Sequence, residues 1–214
     1  HVRSDIQDYL REGKTNIARL KLDYIWSPRK DLYARFDFGL MEEMFGGIGG
    51  EILYRPYKSK YAIGLVAHRV KQRGFDQRFS FRDYTVNTGH VELFYELPSE
   101  VTATVLLGRY LAKDTGMSLD LARRFKTGFR LGIFATKTNI SSELFGEGSF
   151  DKGFYFEIPT DIFLSRYQPG SISMGLHPLT KDGGAPLFNH NALWGLVGDS
   201  DFHGIQRDWE HILD

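Results

Sequence analysis

The chain has 214 residues, with 27 basic side chains, 27 acidic side chains and no cysteine. The balanced charge gives no support for a nucleic-acid partner, and the lack of cysteine excludes disulfide bonds and thiolate metal sites. Hydrophobic residues make up 42% of the chain and aromatic residues 14%, which excludes a disordered protein, because disordered chains are poor in aromatic residues. The length is sufficient for one β domain or barrel.

The first fourteen residues predict a short helix. Val2, Ile6 and Leu10 are spaced four residues apart, which is the spacing of one helix face. The segment resembles the end of a helix more than the start of a mature protein. We therefore expect residues 1–214 to be a single β-barrel-like domain from the C-terminal part of a longer protein.

From Ala18 onward the dominant pattern is an alternation of apolar and polar residues with a period of two. Residues 18–26 alternate in this way, a turn is expected at residues 28–30, and residues 32–40 resume the alternation. Successive side chains of a strand point to opposite faces of the sheet, so each of these strands has one apolar face and one charged face.

The same alternation predicts nine further strands along the chain. They are expected at residues 48–54, 61–67, 90–97, 101–107, 119–122, 131–135, 153–158, 171–176 and 192–196. Short turns are expected at residues 57–60, 98–100 and 127–128, and longer connections at residues 71–87, 138–151 and 180–191. The sequence thus predicts an all-β fold, an antiparallel meander of about 10–12 strands that forms a membrane-type β-barrel or part of one, with short helices at the termini, the second after Asp201.

Two features favour a membrane barrel over a soluble β-sandwich with its charged face in water. First, charged residues occur in the middle of strands, where a polar lumen would accommodate them. They are Arg19, Lys21, Asp23, Arg35, Asp37 and Glu92. Second, aromatic residues that could form a girdle at the level of the lipid headgroups lie near strand ends. They are Tyr24, Trp26, Tyr54, Tyr61, Tyr95 and Tyr110.

In a membrane barrel the apolar side chains would face lipid and the charged ones would face the lumen. We predict that the outward-facing side chains include Leu20, Leu22, Phe36, Phe38, Leu93 and Val105. The inward-facing side chains would include Arg19, Lys21, Arg35 and Asp37. The opposite orientation would indicate a soluble domain.

The charged faces of the first two strands suggest a surface for polysaccharide. Arg19, Lys21 and Arg35 would form a cationic strip that contacts acidic sugars together with Arg55. Asp37 and Glu92 would balance these charges. The competing interpretation is that Asp23 and Asp37 neutralise the strip through cross-strand ion pairs, which would leave a purely structural role.

Two connections offer further side chains for sugar binding. Residues 145–153 combine glycines with Glu147, Asp151 and Lys152, and could bind sugar hydroxyl groups. A glycine-shaped turn is the alternative.

Arg82, Asp83 and Tyr84 follow Phe81 and could form a stacking surface for a sugar ring. A loop held by an Arg–Asp contact is the alternative here. The glycines at 46, 47, 49 and 50 lack dinucleotide-binding spacing and indicate a close backbone approach or a bulge in the sheet.

No motif supports catalysis. The seven histidines are scattered without the spacing of a zinc site, and there is neither a nucleophile elbow nor a phosphate-binding loop. We therefore expect no catalytic residue, no cofactor and no metal. A glycosidase would need two carboxyl groups at a fixed separation, which sequence alone does not reveal.

Several stretches, spread over most of the chain, together resemble the YjbH family of outer-membrane lipoproteins, which is tied to exopolysaccharide and capsule production. They include Phe-Gly-Gly-Ile-Gly-Gly-Glu-Ile-Leu-Tyr-Arg-Pro at residues 45–56 and Phe-Gly-Glu-Gly-Ser-Phe-Asp-Lys-Gly at residues 145–153. The others are residues 75–79, 81–84, 88–90, 121–125, 135–139 and 178–184.

The resemblance implies a C-terminal part of a longer protein in the Gram-negative outer membrane. The expected role is a non-enzymatic component of exopolysaccharide or capsule secretion or assembly. Its partners would be polysaccharide, outer-membrane lipid and other exopolysaccharide secretion proteins, and not nucleic acid. The first alternative is a soluble periplasmic carbohydrate-binding β domain. The second, which the sequence supports less, is a polysaccharide-modifying enzyme.

Overall fold

Ten strands form one antiparallel sheet in the computed structural model, which describes residues 2–13, 15–141, 150–163, 171–176 and 182–198. Each strand pairs with its neighbours in sequence, so the order across the sheet is β1 to β10. The strands are β1 (Leu20–Arg29), β2 (Leu32–Leu40), β3 (Phe45–Tyr54), β4 (Tyr61–Arg73), β5 (Phe81–Leu97), β6 (Val101–Arg109), β7 (Thr115–Arg124), β8 (Arg130–Thr138), β9 (Asp151–Pro159) and β10 (Ser171–Leu176).

Helical structure within the described residues is short. It consists of α1 (Ile6–Glu12), a 3-10 turn (Thr160–Phe163) and α2 (Leu193–Gly198). The predicted all-β meander with short helices is therefore confirmed. In the described part of the chain β1 and β10 are edge strands that do not pair with each other, so the sheet is not closed. No helix in that part is long and apolar enough to cross a bilayer.

The turn expected at residues 28–30 lies slightly later in the chain. β1 continues through Pro28 to Arg29, and the chain reverses at Lys30 and Asp31, where Asp31 has a φ of 63°. Proline is tolerated here because β1 is an edge strand and its register shifts between Trp26 and Arg29. The turns predicted at residues 57–60, 98–100 and 127–128 lie between strands, as expected.

Two predicted elements are wrong. The strand predicted at residues 192–196 is absent, and residues 193–196 belong to α2, because an alternation over five residues does not distinguish a strand from a short helix. The connection predicted at residues 71–87 spans only residues 74–80, because β4 and β5 extend toward each other. Apart from Val70 the end of β4 is polar, so its apolar alternation stops before its backbone pairing does. The helix predicted after Asp201 lies outside the described residues.

Helix α1 forms where the sequence predicts it, but a different face is buried. Tyr9 is its buried residue, whereas Leu10 is 73% exposed and Ile6 is also exposed. The Tyr9 hydroxyl donates to the carbonyl of Arg73 at 2.6 Å, and its ring packs edge-on against Phe75. α1 is therefore fixed against the connection between β4 and β5.

Two apolar clusters lie on the same side of the sheet, which we call the inner face. One gathers at the end of the sheet that carries the connections 41–44, 74–80 and 110–114, which we call the cap end. Its buried members are Val2, Tyr9, Met41, Met44, Phe45, Val70, Val86 and Leu111. The other joins α2 to the sheet through Leu193, Leu53, Ala62 and Phe94. The opposite end of the sheet, with the connections 30–31, 55–60, 98–100 and 125–129, is the turn end.

Arg73 holds the cap end together from inside. Its side chain is fully buried, and its guanidinium donates to backbone carbonyls of three separate segments. The acceptors are Ile17 at 2.8 Å, Ala18 at 3.3 Å, Glu42 at 2.7 Å, Arg78 at 3.2 Å, and Gln77. A planar group with five donors suits this arrangement, in which one side chain fixes the N-terminal segment and two connections.

Candidate functional site

The apolar and charged side chains are distributed between the two faces of the sheet in the opposite way to a soluble protein. In β4, Tyr61, Ile63 and Leu65 are exposed on the outer face, while Ala62 and His68 are buried on the inner face. Across the first five strands the buried inner positions include charged residues, and the exposed outer positions are mostly apolar. The charged inner face is the candidate site.

The outward-facing residues follow the prediction closely. Leu20, Leu22, Phe36, Phe38 and Leu93 are all exposed on the outer face, and Val105 is half-buried. Five of the six aromatic residues predicted to form a girdle are exposed toward the turn end. The exception is Tyr110, which is buried and whose hydroxyl lies 2.6 Å from that of Ser118, so its assignment to a girdle is wrong.

Arg35 on β2 is the centre of the charged inner face. Its side chain is completely buried and lies 3.1 Å from Asp37, 3.2 Å from Glu51 and 3.7 Å from Asp23. Lys21 on β1 contacts Asp23 at 3.0 Å and Asp37 at 3.6 Å. Both cations are thus surrounded by carboxylates from adjacent strands, which is the arrangement that the competing, structural interpretation of the strip described.

His68 on β4 extends this network to a fourth strand. Its Nε2 lies 2.9 Å from Asp37 Oδ1 in a buried contact. A Cβ at Gly49 would overlap the His68 ring, so a residue without a side chain is required where the ring crosses β3. The glycine-rich stretch therefore provides a close approach, as the sequence indicated. We call Lys21, Asp23, Arg35, Asp37, Glu51 and His68 the inner charge network.

Residues 182–198 cover the network, and we call them the cover segment. Asn191 donates to Asp23 at 3.1 Å, and Asn189 donates to Glu51 at 3.0 Å. The Arg35 guanidinium donates to the Asn191 carbonyl at 2.7 Å and also contacts the Asn189 side chain. The backbone N–H of Leu193, at the start of α2, donates to Glu51 at 2.9 Å. The sheet and the cover segment together thus supply the ionic and hydrogen-bond partners of Asp23, Arg35 and Glu51. His68 Nδ1, in contrast, is buried without a hydrogen-bond partner among the described residues.

Trp194 of the cover segment is held between two groups of the sheet. Its ring stacks on Phe94 with centroids 4.2 Å apart, and the Arg55 guanidinium lies 4.2 Å from its ring centroid. Arg55 also pairs with Glu96 at 2.7 Å. This stack attaches the cover segment toward the turn end.

The start of the cover segment is attached to the N-terminus. One oxygen of Asp182 accepts the backbone N–H groups of Val2, Arg3 and Ser4 at 2.8–3.0 Å. Burial alone would raise the pKa of Asp182, but these hydrogen bonds outweigh it and lower the pKa below its usual value. Arg3 in turn pairs with Glu42 at 2.6 Å, and Glu42 accepts the N–H of Phe188.

The remaining predicted site residues are dispersed. Arg19 is exposed just before β1, and Glu92 is half-buried on the inner face of β5, paired with Gly64. Arg55 belongs to the Trp194 stack described above. Asp151 begins β9, and the Lys152 ammonium lies 4.6 Å from the Phe150 ring. Glu147 lies outside the described residues.

Residues 81–84 form the start of β5 and not a loop held by an Arg–Asp contact. Arg82 lies over the Phe75 ring at 4.1 Å and faces Asp5 of the N-terminal segment at 3.8 Å. Tyr84 donates to the carbonyl of Leu111 at 2.6 Å, and Asp83 is exposed. The expected contact is absent because adjacent residues of a strand point to opposite faces.

Sequence reasoning missed Glu51, His68 and the cover segment. Glu51 and His68 could have been found from the strand alternation, because each occupies an inner-face position of its strand. Asn189, Asn191 and Asp182 carry none, because their partners lie more than 130 residues away. Among the described residues no three histidine or acidic side chains are placed to hold a metal ion.

Comparison with known proteins gives one family and one curated relative. The model of the YjbH family, described as "Exopolysaccharide biosynthesis protein YbjH", matches residues 1–199. The "Uncharacterized lipoprotein YjbH" of Escherichia coli strain K12 is 36% identical over 203 residues, which are 92% of this chain. The chain spans 29% of the length of that relative. No solved structure matches the chain.

Proposed function

The chain belongs to the YjbH exopolysaccharide biosynthesis family, and we propose that this part of the protein forms a section of a β-barrel wall in the bacterial outer membrane. In that position it serves, without catalysis, in the secretion or assembly of exopolysaccharide or capsule. The observation that carries the proposal is the inverted distribution of apolar and charged side chains between the two faces of the sheet.

The outer face has the chemistry of a lipid-facing surface. Large apolar side chains are exposed on every strand from β1 to β10 and form a contiguous surface, which monomeric soluble proteins rarely leave open to water. In β4 the outward apolar run from Tyr61 to Ala67 lies between Lys60 and Arg69. At about 3.3 Å per residue it spans roughly 20 Å, close to the ~25 Å apolar band of outer-membrane barrels.

The inner face has the chemistry of a polar lumen. Buried charges such as Arg35, Asp37 and Glu51 have ionic and amide partners there, as burial of charge requires. The relative in Escherichia coli is named a lipoprotein, which is consistent with attachment to the cell envelope.

The polymer-facing role falls on the basic side chains of the inner face. Lys21, Arg35 and Arg55 would contact acidic sugars only by exchanging their present partners, since Asp23, Asp37, Glu51 and Glu96 already balance their charge. Because the cover segment lies over Arg35, it has to move before polymer reaches that part of the face. Exposed Arg19 and Arg82 are accessible without this movement.

A matched pair of substitutions in the full-length protein tests the location. Phe36 is exposed on the outer face, so Phe36→Arg should be nearly neutral if that face is in water, but cost about 2–4 kcal/mol at mid-bilayer depth. The control is Tyr57→Arg, which adds the same charge at an exposed position in a connection. The measurements are outer-membrane fractionation and heat-modifiable gel mobility.

We expect Phe36→Arg to reduce the heat-modifiable, membrane-inserted fraction and Tyr57→Arg to leave it unchanged. If both variants insert equally well, the outer face does not contact the bilayer interior. If the unsubstituted protein is found in the soluble periplasmic fraction, the carbohydrate-binding domain replaces the proposed function.

A further inference from the structure

A hollow lies in the outer face of β4, β5 and β6, at the border between apolar and basic residues. Ala67 pairs with Gly89, and Gly89 pairs with Arg109, so this row of the sheet has almost no side-chain volume until it reaches the arginine. The hollow has a volume of about 580 Å³ and is bounded toward the middle of the sheet by Leu65, Val91 and Leu107. It is a shallow, open and mainly apolar groove with Arg109 at its cap-end side.

Three basic side chains lie toward the cap end of this region: Arg109 lines the groove, and Arg69 and Lys71 lie beyond it. Arg69 and Lys71 follow Ala67 on the exposed side of β4, and Arg109 ends β6. None of them forms an ion pair with a carboxylate in the described part of the chain. This distinguishes them from Lys21, Arg35 and Arg55 on the inner face, which all have acidic partners.

The sheet fixes how far apart the two arginines are. Arg69 pairs with Asn87, one outward-facing position beyond the row of Ala67, Gly89 and Arg109. Two strand spacings and two residues along the strand place the Cα atoms of Arg69 and Arg109 roughly 12 Å apart. Guanidinium groups bind phosphate oxygens through two parallel hydrogen bonds. Two long side chains at this separation can reach the same phosphate group, because Gly89 leaves the space beside Arg109 open.

We propose that this hollow binds a phosphate-bearing lipid of the membrane, an inference that rests on the proposed function. The phosphate lies between Arg69 and Arg109, with Lys71 nearby, and the first part of an acyl chain lies along Leu65, Val91 and Leu107. The groove is continuous with the apolar outer face, so the chain of the lipid enters the bilayer directly. Charge complementarity selects the headgroup, and the groove selects a ligand that carries a chain.

The test measures lipid binding to the purified full-length protein in neutral detergent, by native mass spectrometry. The probes are phosphatidylglycerol, the matched diacylglycerol without phosphate, and inorganic phosphate as a competitor. The first variant is Arg69→Gln with Arg109→Gln, which removes both guanidinium groups. Its control is Arg29→Gln with Lys30→Gln, which removes two exposed charges at the turn end.

A second variant fills the groove without altering charge. Ala67 is exposed, so Ala67→Trp occupies the hollow while leaving the backbone in place. The matched control is Ala18→Trp, at an exposed position before β1. Ala62→Trp is not suitable, because Ala62 is buried.

We expect the double arginine variant to bind phosphatidylglycerol at least roughly tenfold more weakly, since each basic side chain near a membrane contributes about 1 kcal/mol. Ala67→Trp should weaken binding similarly, and both controls should stay within about twofold. Diacylglycerol and inorganic phosphate should neither bind tightly nor displace the lipid.

If the arginine variant and its control lose the same affinity for phosphatidylglycerol, the proposed site is wrong, because the attraction is then not specific to these residues. Displacement by inorganic phosphate would also overturn it, by indicating an anion site without a lipid chain. These results are separate from a failure of the proposed function, in which the unsubstituted protein is not found in the outer membrane at all.

Discussion

At the scale of single residues, the structure is organised by buried charges that each meet several partners. Arg35 contacts carboxylates on β1, β2 and β3 as well as the cover segment, and Arg73 contacts backbone carbonyls from three segments. A charge buried in this way stabilises the fold only while its partners are present, because the cost of removing it from water is high.

The first prediction concerns Arg35. Replacing it by leucine leaves Asp37 and Glu51 buried without their cation, so Arg35→Leu should lower the free energy of unfolding by about 3–5 kcal/mol. The control Arg29→Leu removes an exposed charge and should change it by less than about 0.5 kcal/mol. Thermal unfolding of the full-length protein, followed by tryptophan fluorescence, measures both. Similar midpoints for the two variants would show that the network does not stabilise the fold.

The second prediction concerns the pH dependence of the contact between Asp182 and the N-terminus. Hydrogen bonds from Val2, Arg3 and Ser4 lower the folded pKa of Asp182 below the unfolded value of 3.8. A lowered carboxyl pKa contributes stability that is present above the unfolded value and is lost as the pH falls through the folded value. Below that pH the N-terminal segment should detach.

Hydrogen exchange of the Val2–Ser4 amides as a function of pH measures this detachment. Asp182→Asn should weaken protection by about 1.5–3 kcal/mol at neutral pH and remove the acid-dependent step. Asp83→Asn, at an exposed position, should retain both the protection and the step. An acid-dependent step that persists in Asp182→Asn would assign it to another group.

At the scale of elements, the inner face depends on how α2 docks. The helix has only six residues, which is too short to be stable by itself, so its contacts with the sheet must hold it in place. Leu193 is completely buried against Leu53, Ala62 and Phe94, whereas Leu196 on the same helix is 47% exposed.

The third prediction uses these two leucines as a matched pair. Leu193→Ala should destabilise docking of the cover segment by about 2–5 kcal/mol, as for other buried leucines. Leu196→Ala makes the same chemical change at an exposed position and should have little effect. Limited proteolysis and hydrogen exchange across residues 182–198 report the difference. Equal protection in the two variants would contradict the docking of α2 through Leu193.

At the scale of the whole molecule, the cover segment determines whether the charged inner face is accessible. It is attached at its start through Asp182, in its middle through Asn189 and Asn191, and near its end through Trp194. Apart from Leu193 and the Trp194 stack, these contacts are polar. They can therefore be exchanged for contacts with water or with sugar hydroxyl groups when the segment moves.

The fourth prediction tests this movement in the native host. The sequence has no cysteine, so Asp23→Cys with Asn191→Cys introduces a pair of thiols at the 3.1 Å contact between these side chains. A short thiol cross-linker should hold the segment in place and abolish surface polymer, and reduction of a cleavable linker should restore it. Each single-cysteine variant, treated identically, is the control. Normal polymer output from the cross-linked protein would place the polymer path elsewhere.

The sequence by itself determined the ten observed strands, out of eleven predicted, with their antiparallel order and the orientation of their faces, since these follow from a local period of two. It located Arg35 and Asp37 on one face and Leu22 and Phe36 on the other, because alternation along a strand is independent of distant residues. Only the tertiary structure decided that the cationic residues of the inner face are paired. Glu51, Asn191 and Asp182 meet their partners through the register of the sheet and the return of the chain across it. The helix at residues 193–198 was likewise decided by tertiary contacts, because the burial of Leu193 outweighs any preference in so short a segment.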